Sequence, residues 1–218
     1  MAHEHYFSAQ PSGEFVTKPL TVTIAGRDVQ LLTAGGVFSP NALDVGTQVL
    51  LSHVPPPPPG GDLLDIGCGW GAIALTLATA SPHATVWAVD VNERALELTR
   101  RNAELLGLDN VRTALPHEVP DDVRFMCIWS NPPIRIGKNE LHDLLDTWLP
   151  RLREGADGWL VVARNLGADS LQRWLDARYR GQLAIARHVS HKGYRVLRVR
   201  NRAGHTGAIT IVPEAGDD

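Results

Sequence analysis

The chain has 218 residues, of which 44% are hydrophobic, and carries a formal net charge of −3. This length can bury one sizeable core, while no apolar stretch reaches the roughly 18–20 residues of a membrane helix. The start of the chain lacks the basic residues and apolar run of a signal peptide. The two cysteines, Cys68 and Cys127, fit a reducing compartment and lack metal-ligand spacing. We therefore expect a cytoplasmic protein with no membrane partner and no metal.

The N-terminal part predicts a β-hairpin and then a helix. Residues 20–33 alternate apolar and polar side chains about a Gly-Arg pair. Residues 41–53 carry apolar side chains at helical spacing, with Asn41 as the candidate N-cap. The run PPPPPG at 55–60 cannot be helical and forms a stiff spacer.

From residue 62 onward, short apolar segments alternate with amphipathic ones. The strands are DLLDI, TVWAVDV, NVRTAL, FMCIWS and GWLVVAR, and the helices are 71–80, 92–106, 138–153 and 168–179. Such alternation predicts a parallel sheet with helices on both faces. Two further strands, QLAIARHV and GYRVLRVRN, follow with a short connection at 191–193, and so short a connection permits only an antiparallel pair. The sequence thus predicts an α/β fold with a seven-stranded, mostly parallel sheet and an antiparallel C-terminal strand.

These elements divide the chain into four parts. We expect a hairpin-and-helix appendage at 1–54, a proline-rich linker at 55–61 and the main domain at 62–202. Residues 203–218 are small, Gly-rich and acidic at the end, and we expect them to be disordered. Charge is also unevenly distributed, since 1–109 has a net charge of −6 and 151–202 a net charge of +8. The basic part suits a polyanionic partner, and an ordinary solvated surface explains it equally well.

The segment LLDIGCGWG has the features of a cofactor-binding loop. The strand ends at Asp65, and Gly67, Gly69 and Gly71 let the backbone turn sharply and approach a ligand. The next helix points its N-terminus at the loop. Asp90 ends the second strand about 20 residues later, where a carboxylate suits a ribose diol.

Two cofactors can use this geometry, and glycine-rich turns also occur without any cofactor. The spacing of Gly67, Gly69 and Ala72 satisfies the dinucleotide pattern G-x-G-x-x-G/A. Asp65 favours S-adenosylmethionine over NAD, because a carboxylate accepts a hydrogen bond from a cationic amino group and repels a pyrophosphate. We therefore prefer S-adenosylmethionine. Its candidate ligands are Asp65, Gly67, Cys68, Gly69, Gly71, Asp90, Val91 and Asn131.

A second motif, Ser130-Asn131-Pro132-Pro133-Ile134, follows the fourth strand of the sheet. Ligands of open α/β sheets bind at the carboxyl ends of the strands, so this motif is expected beside the glycine loop. The side-chain oxygen of Asn131 and the carbonyl of Pro132 can each accept one hydrogen of a planar amine. They would hold its lone pair toward a methyl donor by positioning alone. The candidate catalytic residues are Asn131, Pro132, Pro133 and Ile134; the alternative is a turn that merely ends the strand.

These motifs, together with VFSPNALDVGT at 37–47, make the sequence resemble the class I methyltransferases related to ribosomal RNA small subunit methyltransferase C. Those enzymes methylate guanine N2 in 16S rRNA. The resemblance covers roughly residues 15–200. It implies a Rossmann-like sheet with a reversed last strand. It further implies that Phe38 and Asp44 line the catalytic cleft and that Asn131 and Pro132 orient the target amine.

The chain departs from that family at three places. The bacterial enzymes carry an additional N-terminal half, a degenerate copy of the catalytic domain, where this chain has a short hairpin. The fourth motif position is usually Phe or Tyr, whereas this chain has Ile134, so base stacking must come from elsewhere, with Phe38 as a candidate. The end of the third strand, at 114–117, offers no evident contact for adenine.

Cationic residues around the motif suit an RNA substrate. Arg135, Lys138 and Lys192 are candidate phosphate ligands, and a solvated surface position explains each one equally well by itself. As a set beside a base-binding motif they favour nucleic acid. The leading hypothesis is methylation of guanine N2 in RNA, with ribosomal RNA or a ribosomal subunit as the partner. The alternatives are a protein-glutamine or DNA-adenine methyltransferase, a non-catalytic S-adenosylmethionine- or RNA-binding module, and an NAD-dependent oxidoreductase.

Overall fold

A computed structural model describes residues 14–202 of the chain. The predicted disordered tail, 203–218, lies outside the described residues. Within the part of the chain that is described, no helix is long and apolar enough to cross a membrane.

The N-terminal hairpin consists of β1 (Thr17–Ile24) and β2 (Arg27–Ala34), paired antiparallel. Its two turn residues, Ala25 and Gly26, both have positive φ angles, of 48° and 79°. Tight hairpins favour this primed turn because its twist matches that of the strands. The turn therefore lies one residue before the Gly-Arg pair about which the sequence predicted it.

The remaining elements alternate along the chain as the sequence predicted. The helices are α1 (Val45–His53), α2 (Ala72–Ala80), α3 (Glu93–Leu105), α4 (Lys138–Trp148) and α5 (Ala168–Arg178). The sheet strands are β3 (Gly60–Ile66), β4 (His83–Val89), β5 (Val111–Ala114), β6 (Phe125–Ser130), β7 (Leu152–Ala163), β8 (Leu183–His191) and β9 (Tyr194–Asn201).

The seven strands form one sheet in the order β5-β4-β3-β6-β7-β9-β8. Pairs from β5 through β7 are parallel, whereas β9 runs antiparallel to both β7 and β8. This confirms the predicted mostly parallel α/β sheet with a reversed C-terminal strand. The order changes direction at β3, so the loops after β3 and β6 flank the crevice in which such sheets bind ligands.

Successive side chains of the central strands point to opposite faces of the sheet. Leu64 and Ile66 pack with α4 and α5, whereas Leu63 packs with α1 and α2 on the other face. Both faces are therefore covered by helices, as predicted. Burial on both faces explains the nearly continuous apolar runs of these strands.

The hairpin packs against the main domain. Leu20, Val22 and Ile24 alternate inward along β1 and share a core with Trp70 and with residues of α2 and α3. Burying each large aliphatic side chain contributes about 1.5–3 kcal/mol. An isolated two-stranded hairpin is marginal in water, so this packing holds it in place. The division at 1–54, 55–61 and 62–202 stays a prediction.

One predicted element ends early. The sequence predicted a helix over 138–153, but α4 ends at Trp148 and a 3₁₀ turn containing Pro150 follows. Proline lacks the N–H that a continuing helix needs. The strand β7 then begins at Leu152, before the predicted GWLVVAR segment.

Candidate active site

A cleft of about 880 Å³ opens at the carboxyl ends of the central strands. It is bounded by the loops that follow β3, β4 and β6 and by the segment that precedes α1. Residues from each of these segments line it, namely Gly67, Asp90, Asn131 and Asp44. The topology therefore brings both sequence motifs and the N-terminal segment to one cavity.

The glycine loop has the backbone conformation that its sequence predicted. Gly67, Gly69 and Gly71 have φ angles of 75°, 58° and 101°, in the region that L side chains rarely adopt. The N–H groups of Gly67 and Cys68 both donate to the carbonyl of Val89, which anchors the loop to the end of β4. Gly67 and Gly69 line the cleft, so their missing Cβ atoms leave backbone open to a ligand.

Asp90 is fixed by two backbone amides. Its Oδ2 accepts from the N–H of Gly69 at 3.0 Å, and its Oδ1 accepts from the N–H of Asn92 at 2.9 Å. Burial raises the pKa of Asp90, and the backbone hydrogen bonds partly oppose that shift. The carboxylate lines the cleft at the end of the second central strand, where a ribose would lie.

Asp65 lies beneath the loop and is 0% exposed. Its Oδ2 accepts from the N–H of Ala74 at 3.0 Å, which ties β3 to the first turn of α2. Its Oδ1 is buried and has no hydrogen-bond partner among the described residues. Burial raises the pKa of this carboxyl well above its usual range, and the nearby Asp90 adds to the shift. A cationic hydrogen-bond donor beside Oδ1 of Asp65 would supply the missing partner and offset the cost of burying the charged carboxylate.

The Asn-Pro-Pro motif is held against the glycine loop. The hydroxyl of Ser130 donates to the carbonyl of Ile66 at 2.7 Å, joining the ends of β6 and β3. Pro133, with φ −74° and ψ 76°, centres an inverse γ-turn in which the N–H of Ile134 donates to Pro132 O at 2.8 Å. A Cβ on Gly67 would lie 3.9 Å from Cδ of Pro133. The second proline thus packs beside the glycine loop, and the motif turns at this position.

Asn131 is oriented by the segment that precedes α1. Its Nδ2 donates to Oδ2 of Asp44 at 2.8 Å and to Oγ1 of Thr47 at 3.1 Å. Asp44, and not the predicted Asn41, is the N-cap of α1, which begins at Val45, since Oδ2 of Asp44 accepts from the N–H of Thr47 at 3.0 Å. An asparagine amide has two N–H donors, and both are used here. Its Oδ1 is left as the acceptor on this side chain.

The segment at 35–39 lies along the other side of the glycine loop. The carbonyl of Gly36 accepts from Nδ2 of Asn92 at 2.7 Å, and the carbonyl of Ser39 accepts from Nε1 of Trp70 at 3.2 Å. Phe38 lines the cleft, with its Cβ 4.0 Å from where a Cβ on Gly69 would lie. The N-terminal segment is therefore part of the cleft wall.

The structure brings most of the predicted site residues to this cavity. Those that line it are Phe38, Asp44, Gly67, Gly69, Asp90, Val91, Asn131, Pro132, Pro133, Ile134 and Arg135. Those that do not are Asp65, Cys68, Gly71, Lys138 and Lys192. Their predicted roles as direct ligands stay predictions.

Two of these residues have evident packing roles. The thiol of Cys68 is buried in the core, and burial raises its pKa well above the usual range. A Cβ on Gly71 would lie 3.1 Å from the side chain of Thr99, so this glycine lets α3 approach the loop.

Sequence reasoning missed several lining residues. Pro116 lines the cleft after the third strand, where no adenine contact was assigned. Thr47 completes the hydrogen bonds of Asn131, and Tyr194 lines the cleft from β9. The antiparallel pair predicted at the C-terminus was a usable signal for Tyr194. A reversed strand begins at the edge where the parallel strands end.

A Rossmann-like sheet with one reversed strand, a glycine loop, a half-buried acidic residue after the second strand and an Asn-Pro-Pro turn define a protein of the methyltransferase class. Comparison with known families agrees. The family described as methyltransferase small domain matches residues 28–198, and the chain belongs to that family.

Known relatives and a solved structure extend this comparison. The uncharacterized protein YbxB of Bacillus subtilis (strain 168) is 32% identical over 200 residues, covering 90% of this chain and 98% of that protein. Ribosomal RNA small subunit methyltransferase C of Aeromonas hydrophila is 37% identical over 142 residues, covering 63% of this chain and 40% of that protein. The chain thus spans less than half the length of that relative.

The structure of the T. thermophilus 16S rRNA N2 G1207 methyltransferase, in complex with AdoMet and guanosine, matches with a TM-score of 0.75. It is 22% identical, and the match covers 87% of this chain and 52% of that one. This likeness confirms the fold.

Proposed function

We propose that the protein transfers a methyl group from S-adenosylmethionine to the exocyclic 2-amine of a guanine in RNA, with ribosomal RNA as the substrate. The observation that carries the proposal is the Asp44–Asn131 hydrogen bond in the wall of the glycine-loop cleft. It fixes the one side-chain acceptor that a planar amine needs. Membership of the methyltransferase family and the named activity of the relatives support the reaction and the acceptor.

The loop residues fit S-adenosylmethionine. Gly67 and Gly69 present backbone without side chains to the cleft, and Asp90 is held by amides where a ribose diol would bind. The buried Oδ1 of Asp65 has no partner among the described residues, which suits an ammonium group and not a pyrophosphate. NAD is correspondingly disfavoured.

The acceptor amine would lie between Asn131 and Pro132. Oδ1 of Asn131 accepts one amine hydrogen, and the carbonyl of Pro132 has a second lone pair available beside the bond from Ile134. Two acceptors on one nitrogen pull it out of conjugation with the ring and direct its lone pair across the cleft. Positioning and fixed dipoles then provide the catalysis.

When bound, S-adenosylmethionine would supply an electrophilic methyl with sulfur as the leaving atom, so the amine nitrogen would gain the N–C bond and its extra proton would pass to water. The chain's own contribution is to hold the amine in line and to exclude a second orientation. Cys68 contributes no nucleophile, because burial keeps its thiol protonated.

A cationic rim at the cleft suits an RNA substrate. Arg135 lines the cleft, and the backbone N–H of Arg164 donates to the carbonyl of Gly193 at 2.8 Å, which places the turn containing Lys192 beside the end of β7. Arg135, Arg164 and Lys192 are exposed, and none forms an ion pair with a described residue. Cations of this kind bind phosphates and set the register of the nucleic acid.

Methyl transfer to defined acceptors tests the proposal. Purified protein and labelled S-adenosylmethionine are incubated with naked 16S rRNA, with small ribosomal subunits, with a glutamine-containing release-factor peptide and with adenine-containing DNA. We expect label in N2-methylguanosine. Asn131→Ala should lower kcat about 10²–10³-fold, the usual cost of one preorganised polar contact. Asn139→Ala, an exposed asparagine on α4, is the matched control. Label in glutamine, in adenine or in no acceptor would contradict the proposal.

A further inference from the structure

Tyr194 reaches the cleft because β9 is reversed. It is the first residue of β9 and pairs with Ala163, the last residue of β7, and with His191 of β8. Since β9 runs against its neighbours, its first residue lies at the edge where the parallel strands end. Tyr194 and Ala163 both line the cleft.

The ring of Tyr194 packs on the start of α1. A Cβ on Gly46 would lie 2.8 Å from Cε1 of Tyr194 and 2.9 Å from Oδ2 of Asp44. Real Cβ atoms do not approach other atoms so closely, so the ring occupies space that only glycine leaves open. The ring is therefore held beside the same carboxylate that orients Asn131.

The phenol group stays neutral. Burial raises the pKa of Tyr194, the charge of Asp44 raises it further, and Arg135 partly opposes both. Among the described residues, no hydrogen bond is formed by its hydroxyl. Tyr194 consequently presents a neutral aromatic ring to the cleft.

Two aromatic residues line different parts of the cleft wall. Among the described residues that line it, the aromatic side chains are Phe38 and Tyr194. Phe38 lies against Gly69, on the side of the glycine loop, whereas Tyr194 lies beside Asp44 and Gly46. The residue after the two prolines is the aliphatic Ile134.

We infer that Tyr194 is the stacking platform for the acceptor base, a contact on which recognition of the RNA guanine depends. The inference rests on the proposed function and adds to it a substrate-binding residue. A nucleobase whose amine reaches Asn131 would have its ring plane beside Tyr194, and base–aromatic stacking is a principal means of holding an unpaired base.

Two substitutions distinguish the contribution of the Tyr194 ring from that of its hydroxyl group. Tyr194→Phe keeps the aromatic ring, and Tyr194→Leu keeps an apolar side chain without π-stacking. Phe15→Leu is the matched control, because Phe15 is an aromatic residue of the N-terminal segment that contacts Arg94 and Arg101 outside the cleft. We expect Tyr194→Leu to lower kcat/KM for RNA roughly ten- to hundredfold. Tyr194→Phe and Phe15→Leu should stay within about threefold of wild type.

Fluorescence of 2-aminopurine provides a readout independent of turnover. This base carries the 2-amine of guanine, and stacking quenches its emission. A short RNA with one unpaired 2-aminopurine is titrated with each variant bound to S-adenosylhomocysteine. We expect quenching by the wild type and by Tyr194→Phe, and its loss in Tyr194→Leu.

The outcomes distinguish the inference from the proposed function. Equal quenching and equal kcat/KM in Tyr194→Leu and the wild type would overturn the role of Tyr194. A parallel loss of S-adenosylmethionine affinity and thermal stability in Tyr194→Leu would also overturn it, since the role would then be structural. A wild type that binds S-adenosylmethionine but methylates no RNA guanine would instead overturn the proposed function.

Discussion

Asp44 and Asn131 are 87 residues apart in the sequence and are joined by a 2.8 Å hydrogen bond from Nδ2 to Oδ2. The same carboxylate oxygen caps α1 through the N–H of Thr47. One side chain thus fixes both the start of a helix and the orientation of the proposed catalytic amide. Hydrogen bonds to charged groups contribute about 1.5–3 kcal/mol, so this contact is strong enough to select one amide orientation.

Replacing Asp44 should separate these two roles. Asp44→Ala removes the cap and the contact with Asn131, whereas Asp44→Ser can still cap α1 but is too short to hold Nδ2. We expect both variants to lose about ten- to hundredfold in kcat, the equivalent of the lost charged hydrogen bond. The dissociation constant of S-adenosylmethionine, measured by calorimetry, should change little.

Stability provides the control for this pair. Thermal unfolding should show a loss of about 1 kcal/mol in Asp44→Ala and a smaller one in Asp44→Ser, because serine is a good N-cap. If Asp44→Ser kept full kcat, the carboxylate would be a capping residue and nothing more.

The sequence predicted which residues meet in the site better than how they meet. Gly67, Asp90 and Asn131 belong to local motifs, so their positions follow from the strands they end. The bond between Asp44 and Asn131 depends on where α1 packs, which is a tertiary contact without a local pattern. The reversed β9 predicts the edge of the sheet at which Tyr194 lies, but the packing of its ring on Gly46 is again a tertiary contact between residues far apart in the chain.

The fold was predictable because buried strands and amphipathic helices have strong periodic signals. All seven sheet strands and the reversed β9 follow from such patterns. Element ends were less predictable. Pro150 ended α4 early, and the hairpin turn at Ala25 uses a left-handed conformation that alanine rarely adopts. Tertiary packing of β1 on the domain stabilises that turn, and a prediction from the local sequence cannot include this packing.

Alanine substitutions at two glycines distinguish a loss of cofactor binding from the cost of backbone strain. Gly67 has φ 75° and lines the cleft, whereas Gly107, after α3, has φ 66° and open space around it. Alanine at either position should cost about 1–2 kcal/mol in the free energy of unfolding, because a left-handed backbone disfavours a Cβ. Denaturant titration measures that cost.

Of the two variants, only Gly67→Ala should impair the binding of S-adenosylmethionine. We expect Gly67→Ala to weaken S-adenosylmethionine binding at least about tenfold, since its Cβ would enter the space beside Pro133. Gly107→Ala should bind as the wild type does. Equal affinities in the two variants would mean that the loop does not approach the cofactor closely.

Asp65→Asn should stabilise the free protein at neutral pH. Burial raises the pKa of Asp65 well above its usual range, with Asp90 adding to the shift, so the folded state holds the proton more tightly than the unfolded state. Ionisation therefore costs folding free energy, and the cost grows as the pH rises above about 4. Asparagine keeps an acceptor for the N–H of Ala74 and carries no charge.

The stability difference should shrink as the pH falls from 7 toward 4, as measured by thermal unfolding. Binding should change in the opposite direction: Asp65→Asn is expected to weaken the binding of S-adenosylmethionine about tenfold or more, because the charged hydrogen bond proposed between Asp65 and the ammonium would be lost. Both expectations would be contradicted if Asp65→Asn were less stable than the wild type at pH 7 and bound S-adenosylmethionine with the same affinity.

Arg164 and Lys192 should act on RNA binding and not on the chemistry. They lie at the end of β7 and in the turn before β9, which the backbone bond from Arg164 to Gly193 holds together at the cleft. Arg153, near the opposite end of β7, is the matched control. We expect each of Arg164→Ala and Lys192→Ala to raise KM for RNA several-fold and to reduce the slope of log K against log salt by about 1.

A nucleoside substrate distinguishes phosphate binding from a distorted cleft. Guanosine has no phosphate, so its methylation at saturating concentration should be the same in Arg164→Ala, Lys192→Ala and the wild type. Arg153→Ala should match the wild type on RNA as well, because its charge lies at the far edge of the sheet from the cleft. An unchanged salt slope in both rim variants would place the RNA on another surface. Loss of guanosine methylation would show instead that these cations shape the cleft itself, since Lys192 lies in the turn that precedes Tyr194 and Arg164 is bonded to that turn.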